Sequence, residues 1–365
     1  MGTPARACHP CTVTGLFLHC RAGFEGECAA EIQARAAACG LHGHCRARPG
    51  TAYVLFETPH RDGAARLPET VALADLVFTR QWFVVQAFVD DLPVGDRVSP
   101  IVAGLATLGA PAAALCLETP DTNEGKALSG LCRKLQRPLE EGLRAAGLLA
   151  PGADGAVRLH ACFLSGTSAH IGYIPGHNSS PWPMGVPRLR FPRGAPSRST
   201  LKLEEAFLHF LTPAGRASLL VPGMRAVDLG AAPGGWTWQL ARRHIHVTAV
   251  DNGTLDPLLM DSGLVDHVRA DGFHFRPARP VGWIVCDMVE QPARIAALAA
   301  KWMSNGWCRH TIFNLKLPMK RRYHELQRCL DLIRHRLDAA GVPYRLGCKQ
   351  LYHDREEVTV YVSHE

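Results

Sequence analysis

Four residues are of types, and at positions, that could move a proton. Lys202 lies in Ser197-Arg198-Ser199-Thr200-Leu201-Lys202-Leu203, Asp287 closes the apolar run 283–287, Lys316 closes the run 311–316, and Glu357 opens the run 358–362. Two lysines alternating with two carboxylates suit removal of a proton from a weak acid such as a hydroxyl group. A lysine carries its own proton at neutral pH, so it can act as a base only if burial and a second cation lower its pKa. Lys316, at a strand end, is read as the base, Lys202 as the second cation, and Asp287 and Glu357 as the groups that orient the pair. Consecutive strand residues face opposite sides, so only one of Glu356 and Glu357 can complete the set. Glu357, directly before Val358, is the choice.

A glycine-rich turn stands beside these residues. In Val227-Asp228-Leu229-Gly230-Ala231-Ala232-Pro233-Gly234-Gly235-Trp236-Thr237 an apolar strand (224–228) runs into the turn and a helix pattern follows, while a second strand ends at Asp251. This order presents a nucleoside-containing cofactor beyond the strand ends of an open α/β sheet. The loop is D-x-G-x-x-P-G-G and not the dinucleotide form G-x-G-x-x-G. Gly230, Gly234 and Gly235 let backbone pass close to a ligand, Pro233 stiffens the turn, and Ala232 to Gly235, with Asp228 and Trp236 at either side, frame the cofactor. Asp251 is placed to accept from ribose hydroxyls. Asp271, in Arg269-Ala270-Asp271-Gly272-Phe273, is placed to accept from an adenine amino group. No metal site is expected, because Cys8-His9-Pro10-Cys11 has no matching second pair.

These residues need a scaffold. Residues 12–60 are predicted as strand (13–20), helix (23–39, with Phe24, Cys28, Ile32 and Ala36 at helical spacing) and strand (52–57). Residues 70–92 add a helix pattern and the strand-like Trp82-Phe83-Val84-Val85. A second block, 95–175, is predicted to hold a helix at 101–108, a strand at 112–118, a helix at 125–146 and a strand at 157–164. The stretch 177–187 is turn-rich and marks a linker or an ordered loop, and 188–198 continues it with Pro192 and Pro196. A helix capped by Ser197 or Ser199 follows, and strands and helices then alternate to the end. The expected fold is α/β: a doubly wound Rossmann-like domain preceded by a smaller α+β region. The expected boundaries are 1–92, 93–176, a linker at 177–198, and 199–365.

Composition narrows the partners. A chain of 365 residues suits two or three domains. No run of eighteen apolar residues marks a membrane span and no apolar signal core precedes His9. Thirteen scattered cysteines fit reduced thiols in the cytoplasm better than disulfides. The formal net charge is +7. Residues 155–203 and 291–324 contain no acid, and both stretches flank the candidate site, which points to a polyanion. Arg188, Arg190, Arg193, Lys320, Arg321 and Arg322 are the candidate phosphate contacts, and Trp182, Trp236 and Tyr352 could stack a splayed base.

The motifs S-R-x-x-x-K-L, D-L-G-x-x-P-G-G, C-D-M, N-L-K and R-E-E-V, in this order, resemble the Lys-Asp-Lys-Glu pattern of FtsJ-like ribose 2′-O-methyltransferases. With Cys20-Arg21-Ala22-Gly23-Phe24-Glu25-Gly26-Glu27-Cys28-Ala29, Ala195-Pro196-Ser197-Arg198 and Leu351-Tyr352-His353-Asp354-Arg355-Glu356-Glu357, the chain resembles one narrower group over nearly its whole length, the bacterial RlmM family. The resemblance implies S-adenosylmethionine as cofactor, Ser199 among its contacts and Asp287 near its sulfonium. It implies a THUMP RNA-binding module within the N-terminal region. It further implies a cytidine of large-subunit rRNA as substrate, attacked in line by its ribose hydroxyl, with no obligate protein partner. A tRNA or mRNA-cap 2′-O-methyltransferase would carry the same four residues, and an RNA-binding assembly factor without catalysis is the reading from another class. Asp287-Met288-Val289-Glu290 departs from the Asp-Met-Ala-Pro form of many FtsJ-like enzymes, at the substrate edge of the pocket.

Overall fold

The computed structural model describes residues 15–59, 62–108, 110–150, 152 and 157–365; the Cys8-x-x-Cys11 pair lies outside them. The chain divides into two compact units between Val186 and Pro187.

The first unit is built from β1 (Gly15–His19), α1 (Glu25–Ala38), β2 (His44–Ala47), β3 (Tyr53–Glu57), α2 (Gly63–Thr70), β4 (Gln81–Val89), α3 (Val98–Leu105), β5 (Ala114–Glu118), α4 (Asn123–Ala127), α5 (Ser129–Ala145), β6 (Val157–Phe163) and β7 (Ala169–Pro175). All seven strands share one sheet in the order β2-β3-β1-β4-β7-β6-β5. The expected boundary at residue 92 therefore does not separate two sheets, because β4 pairs with β1 on one side and with β7 on the other. The helical stripe Phe24, Cys28, Ile32 and Ala36 is buried as its spacing requires. Two strands escape the pattern. β2 has only four residues and none is fully buried. β7 contains Gly172, whose missing side chain lets the backbone of Val84 in β4 come close.

Residues 177–186, expected within a linker, are part of this unit. Asn178 is buried; its Oδ1 accepts from Leu73 N at 2.6 Å, its Nδ2 donates to the carbonyls of Pro68 and Val71 at 2.6 and 2.8 Å, and its own carbonyl accepts from the Trp82 indole at 2.9 Å. Ser180 N donates to Gln81 Oε1, and the Ser180 carbonyl accepts from Gln81 Nε2 and Arg158. Turn-rich composition marks the absence of regular structure; it carries no information about whether polar side chains clamp the segment to a neighbouring surface.

The second unit contains α6 (Thr200–Phe210), α7 (Pro213–Leu219), β8 (Arg225–Leu229), α8 (Gly235–Ala241), β9 (His246–Val250), α9 (Pro257–Met260), β10 (Val265–Val268), β11 (Val281–Cys286), α10 (Pro292–Ser304), β12 (Cys308–Lys316), α11 (Arg322–Ala339), β13 (Tyr344–Lys349) and β14 (Glu357–His364). Its seven-stranded sheet has the order β10-β9-β8-β11-β12-β14-β13. β10, β9, β8, β11 and β12 run parallel, and β14 runs antiparallel to both its neighbours. Val227, Ile284, Val285, Ile312 and Phe313 are buried, as strands covered on both faces demand. Strand order reverses between β8 and β11, which opens a crevice beyond their carboxyl ends.

Asn178→Ala removes a buried donor from two carbonyls and is expected to destabilise the first unit by about 2–4 kcal/mol. Urea unfolding of the full chain measures this; a change within error of zero would restore the linker reading.

Candidate active site

The alternation of β12 and β14 decides which side chains meet. Lys316 and Glu357 are direct cross-strand partners, and Asn314 faces Thr359 one pair further along the same face. Lys202 reaches the group from the first turn of α6, and Asp287 from the residue after β11. Lys202 Nζ lies 3.2 and 3.1 Å from Asp287 Oδ1 and Oδ2, and Lys316 Nζ lies 3.0 Å from Asp287 Oδ1. Glu357 contacts Lys202 through Oε1 and Lys316 through Oε2. Each carboxylate thus bridges both lysines in a closed ring of alternating charge. Glu356 faces away and pairs with Arg322 at 2.5 Å.

This ring corrects one expectation. Burial alone would lower the Lys316 pKa, but the charges of Asp287 and then Glu357 outweigh it and hold the pKa above the ordinary lysine value. The second cation, Lys202, is separated from Lys316 by the two carboxylates both share, so attraction exceeds repulsion.

The crevice beside the ring has a volume of about 520 Å³ and is lined by Gly230, Ala232, Asp251, Asp271 and Asp287, together with Asn252, Phe273, Met288, Glu290 and Arg294. That volume lies within the roughly 300–1,000 Å³ of small-molecule sites. Asp251 accepts from Ala232 N at 2.9 Å and from Gly253 N at 2.6 Å. Each of its oxygens keeps a further lone pair for a ligand hydroxyl. Asp271 accepts from Phe273 N at 2.8 Å and lies 2.6 Å from His274 Nδ1. The lining carries four carboxylates, and its only arginine, Arg294, pairs with Glu290 at 2.5 Å while stacking over Phe273 at 4.4 Å. Such a wall repels a pyrophosphate and suits a ligand that bears a cation, hydroxyls and an amine.

Other residues expected at the cofactor stand behind the crevice. Asp228 is buried at 1% exposure and accepts from Thr237 Oγ1 at 2.6 Å. Burial pushes its carboxyl up to about 7. Trp236 lies in the apolar core and donates its indole N–H to the Ser199 carbonyl at 3.0 Å, which leaves no face for a base to stack on. A side chain on Gly235 would strike the hydroxyls of Ser197 and Ser199, and one on Gly234, at φ +114, would strike Leu259. These two glycines make room for protein, with Gly235 seating the start of α6 against α8. Ser197 and Ser199 hydrogen-bond each other at 2.6 Å, and Ser199 makes no side-chain cap to α6. Pro233 is exposed, its carbonyl held by Asp256 N at 3.0 Å. Gly230, at φ +74, packs under Met288 and still lines the crevice.

Of the candidate phosphate contacts, Arg188, Arg190, Arg193, Lys320 and Arg321 are exposed, whereas Arg322 is half-buried and tied to Glu356. Trp182 and Tyr352 are half-buried. The motif reading included Asn314, the first residue of N-L-K, without giving it a role, and passed over Thr359. Their signal was present, since each stands two residues from a named residue on the same strand and so on the same face.

Residues 13–83 match the RlmM ferredoxin-like domain, 96–174 match the N-terminal domain of ribosomal RNA large subunit methyltransferase M, and 195–317 match the FtsJ-like methyltransferases. The chain is 54% identical over 350 residues to ribosomal RNA large subunit methyltransferase M of Methylococcus capsulatus, covering 96% of this chain and 98% of that protein. It is 54% identical over 347 residues to the protein of the same name from Cellvibrio japonicus, covering 95% and 98%. The chain belongs to the RlmM family. Its fold is that of an FtsJ-like, Rossmann-like methyltransferase with a ferredoxin-like N-terminal part, and S-adenosylmethionine is its cofactor. The acidic crevice fits that cofactor: Asp251 suits the ribose hydroxyls, Asp271 the adenine amine, and Asp287 the sulfonium charge.

Asp251→Ala is expected to weaken S-adenosylmethionine binding at least tenfold, about 1.4 kcal/mol, by calorimetry; unchanged affinity would remove Asp251 from the site. For Asp228 the folded carboxyl titrates near 7 and an unfolded one near 3.9, roughly. Protonated Asp228 therefore contributes stability in full below the unfolded value, and that contribution is lost as pH rises through 7. Asp228→Asn, which cannot ionise, should gain stability over the parent chain at pH 8 and gain less at pH 5. Denaturant unfolding at both pH values tests this, and equal gains would contradict the raised carboxyl.

Proposed function

We propose that this chain transfers a methyl group from S-adenosylmethionine to the ribose 2′-hydroxyl of a cytidine in large-subunit rRNA, with Lys316 as general base. The observation that carries the reading is the closed Lys202-Asp287-Lys316-Glu357 ring, whose Asp287 also lines the cation-suited crevice. The relatives' names specify methylation of large-subunit rRNA. The cofactor, when bound, supplies an electrophilic methyl on a sulfonium.

The chain's own residues handle the proton. A ribose hydroxyl is a weak acid, and its proton must leave as the new bond forms. Lys316 is the most exposed of the four, with 24% of its side chain accessible against 3% for Glu357. That exposure favours its Nζ as the atom that meets the hydroxyl. Asp287 and Glu357 fix that nitrogen from two sides, which restricts the direction of its free lone pair once it is neutral. Because both carboxylates hold the Lys316 proton, turnover should rise with pH through the neutral range.

Arg188, Arg190, Arg193, Lys320 and Arg321 would neutralise phosphates, with Ser199 at the cofactor edge and residues 93–176 serving as an RNA-binding module of THUMP type. Among the described residues no helix is long and apolar enough to cross a membrane, and the described cysteines are free thiols; a cytoplasmic site of action fits both.

The test is transfer of labelled methyl from S-adenosylmethionine to protein-free large-subunit rRNA, with nuclease mapping of the product. The expected product is a nuclease-resistant 2′-O-methyl dinucleotide at a cytidine, absent with Lys316→Ala while cofactor binding stays nearly intact. Substantial turnover by Lys316→Ala would refute the base assignment, and a methylated base would refute the ribose.

A further inference from the structure

Asp287 Oδ1 has three donors: Lys202 Nζ at 3.2 Å, Lys316 Nζ at 3.0 Å and Asn314 Nδ2 at 3.0 Å. The third is neutral and fully buried. An amide can present either end, so something must fix which one faces Asp287. Thr359 Oγ1 lies 2.8 Å from Asn314 Oδ1, and also 3.1 and 3.0 Å from the two carboxyl oxygens of Asp354. Asp354 has 0% exposure, and its Oδ2 accepts from Leu351 N at 2.9 Å.

Counting protons orders this chain. A hydroxyl has one proton to give. If Thr359 gave it to Asp354, the carbonyl end of Asn314 would face an oxygen lone pair. If Asp354 is protonated, its Oδ1–H donates to Thr359, Thr359 donates to Asn314 Oδ1, and the Asn314 N–H is left pointing at Asp287. Asp354, Thr359, Asn314 and Asp287 are then linked in turn from donor to acceptor, with one of the two Asp354–Thr359 contacts carrying the proton. Burial, and then the charge of Glu357, push the Asp354 carboxyl well above the ordinary carboxylate range, which supports the protonated form.

We infer that Asn314 is a positioning residue for methyl transfer: with its amide locked by Thr359 and Asp354, it draws charge from Asp287 Oδ1 and so loosens the grip of that oxygen on the Lys316 proton. The consequence follows from Coulomb's law. Asp287 is one of the two carboxylates that hold Lys316 in its charged form. A neutral donor on the shared oxygen offsets part of that attraction without adding a cation. Asp287 is ion-paired to Lys202 from α6 and Lys316 from β12; its charge is felt by Asp228 of β8, Glu357 from β14 shares both lysines with it, and Asp251, Asp271 and Glu290 line the same crevice. Asn314 is a neutral side chain donating to Asp287 within this set.

The inference rests on Lys316 as base. The experiment follows single-turnover methyl transfer to protein-free large-subunit rRNA from pH 6.5 to 10 (about the range in which lysine assistance is read) in the full-length protein. Asn314→Asp keeps the shape and replaces the donor with a second carboxylate. Its rising limb should move alkaline by about one pH unit or more, with a roughly tenfold or larger loss near neutrality that high pH restores, and with little change in KM for RNA. Thr359→Val frees the amide to turn and should shift the limb in the same direction by less, while Thr359→Ser should restore the parent profile. Cofactor titration confirms that each variant is folded.

An Asn314→Asp profile that coincides with the parent's, or an equal loss at every pH, would overturn the inference. Should Asn314→Asp fail to fold, the Thr359 pair decides, and identical profiles for Val and Ser would overturn it. Lys316→Ala, run alongside, separates the two readings. Its turnover, if retained, removes the base itself. If it is inactive while the Asn314 and Thr359 profiles match the parent's, only the positioning role fails.

Discussion

The antiparallel pairing of β14 against β12 is the constraint on which the site depends. Were β14 parallel like the other strands beyond β8, its first residue would lie at the opposite edge of the sheet, the length of the strand away from the crevice. Reversal brings Glu357 to the carboxyl end of β12 and sets it opposite Lys316. The same register sets Thr359 opposite Asn314. One strand direction therefore supplies both the second carboxylate of the ring and the hydroxyl that orders the amide behind it.

Closure of the ring has an electrostatic cost and a kinetic use. Two lysines and two carboxylates with little access to water would be expensive singly, and shared contacts offset the desolvation. The arrangement that stabilises them also keeps Lys316 charged, which is the wrong state for a base. The surrounding polar groups then matter in proportion to how they divide negative charge between the two carboxylates. Asn314 bears on one carboxylate, and buried Asp354 on the other.

Charge sign separates the two ligands. The crevice wall is acidic, while Arg188, Arg190, Arg193, Lys320 and Arg321 stand exposed on the same unit. A cationic cofactor and a polyanionic substrate are thus sorted by potential before any specific contact forms. Glutamate has a different use in the first unit. Buried Glu31 accepts from Val77 N at 2.6 Å and Phe78 N at 2.9 Å, and buried Glu118 accepts from Met184 N at 2.5 Å. There carboxylates serve as acceptors for backbone that has no strand or helix partner.

The sequence by itself determined the doubly wound order of the second unit, the turn after β8 and the identity of the four ring residues. Each rests on local pattern: apolar runs of strand length, glycine at a tight turn, and polar residues at strand ends or, for Lys202, at a helix start, with the order of the four matching the family motif. Tertiary structure decided what such patterns leave open. The linker reading of 177–186 failed because Asn178 is anchored by residues about a hundred positions away. The glycines at 234 and 235 read as space for a ligand, but a missing Cβ does not say which neighbour fills the gap, and here it is Leu259 and the serines before α6. Trp236 and Asp228 lie next to the cofactor loop in sequence and behind it in space, because α8 turns one inward and β8 buries the other. The protonation of Lys316 was inverted for a related reason. Its pKa depends on distances to Asp287 and Glu357, 29 and 41 residues away, and Coulomb energy follows separation in space, which spacing along the chain does not encode.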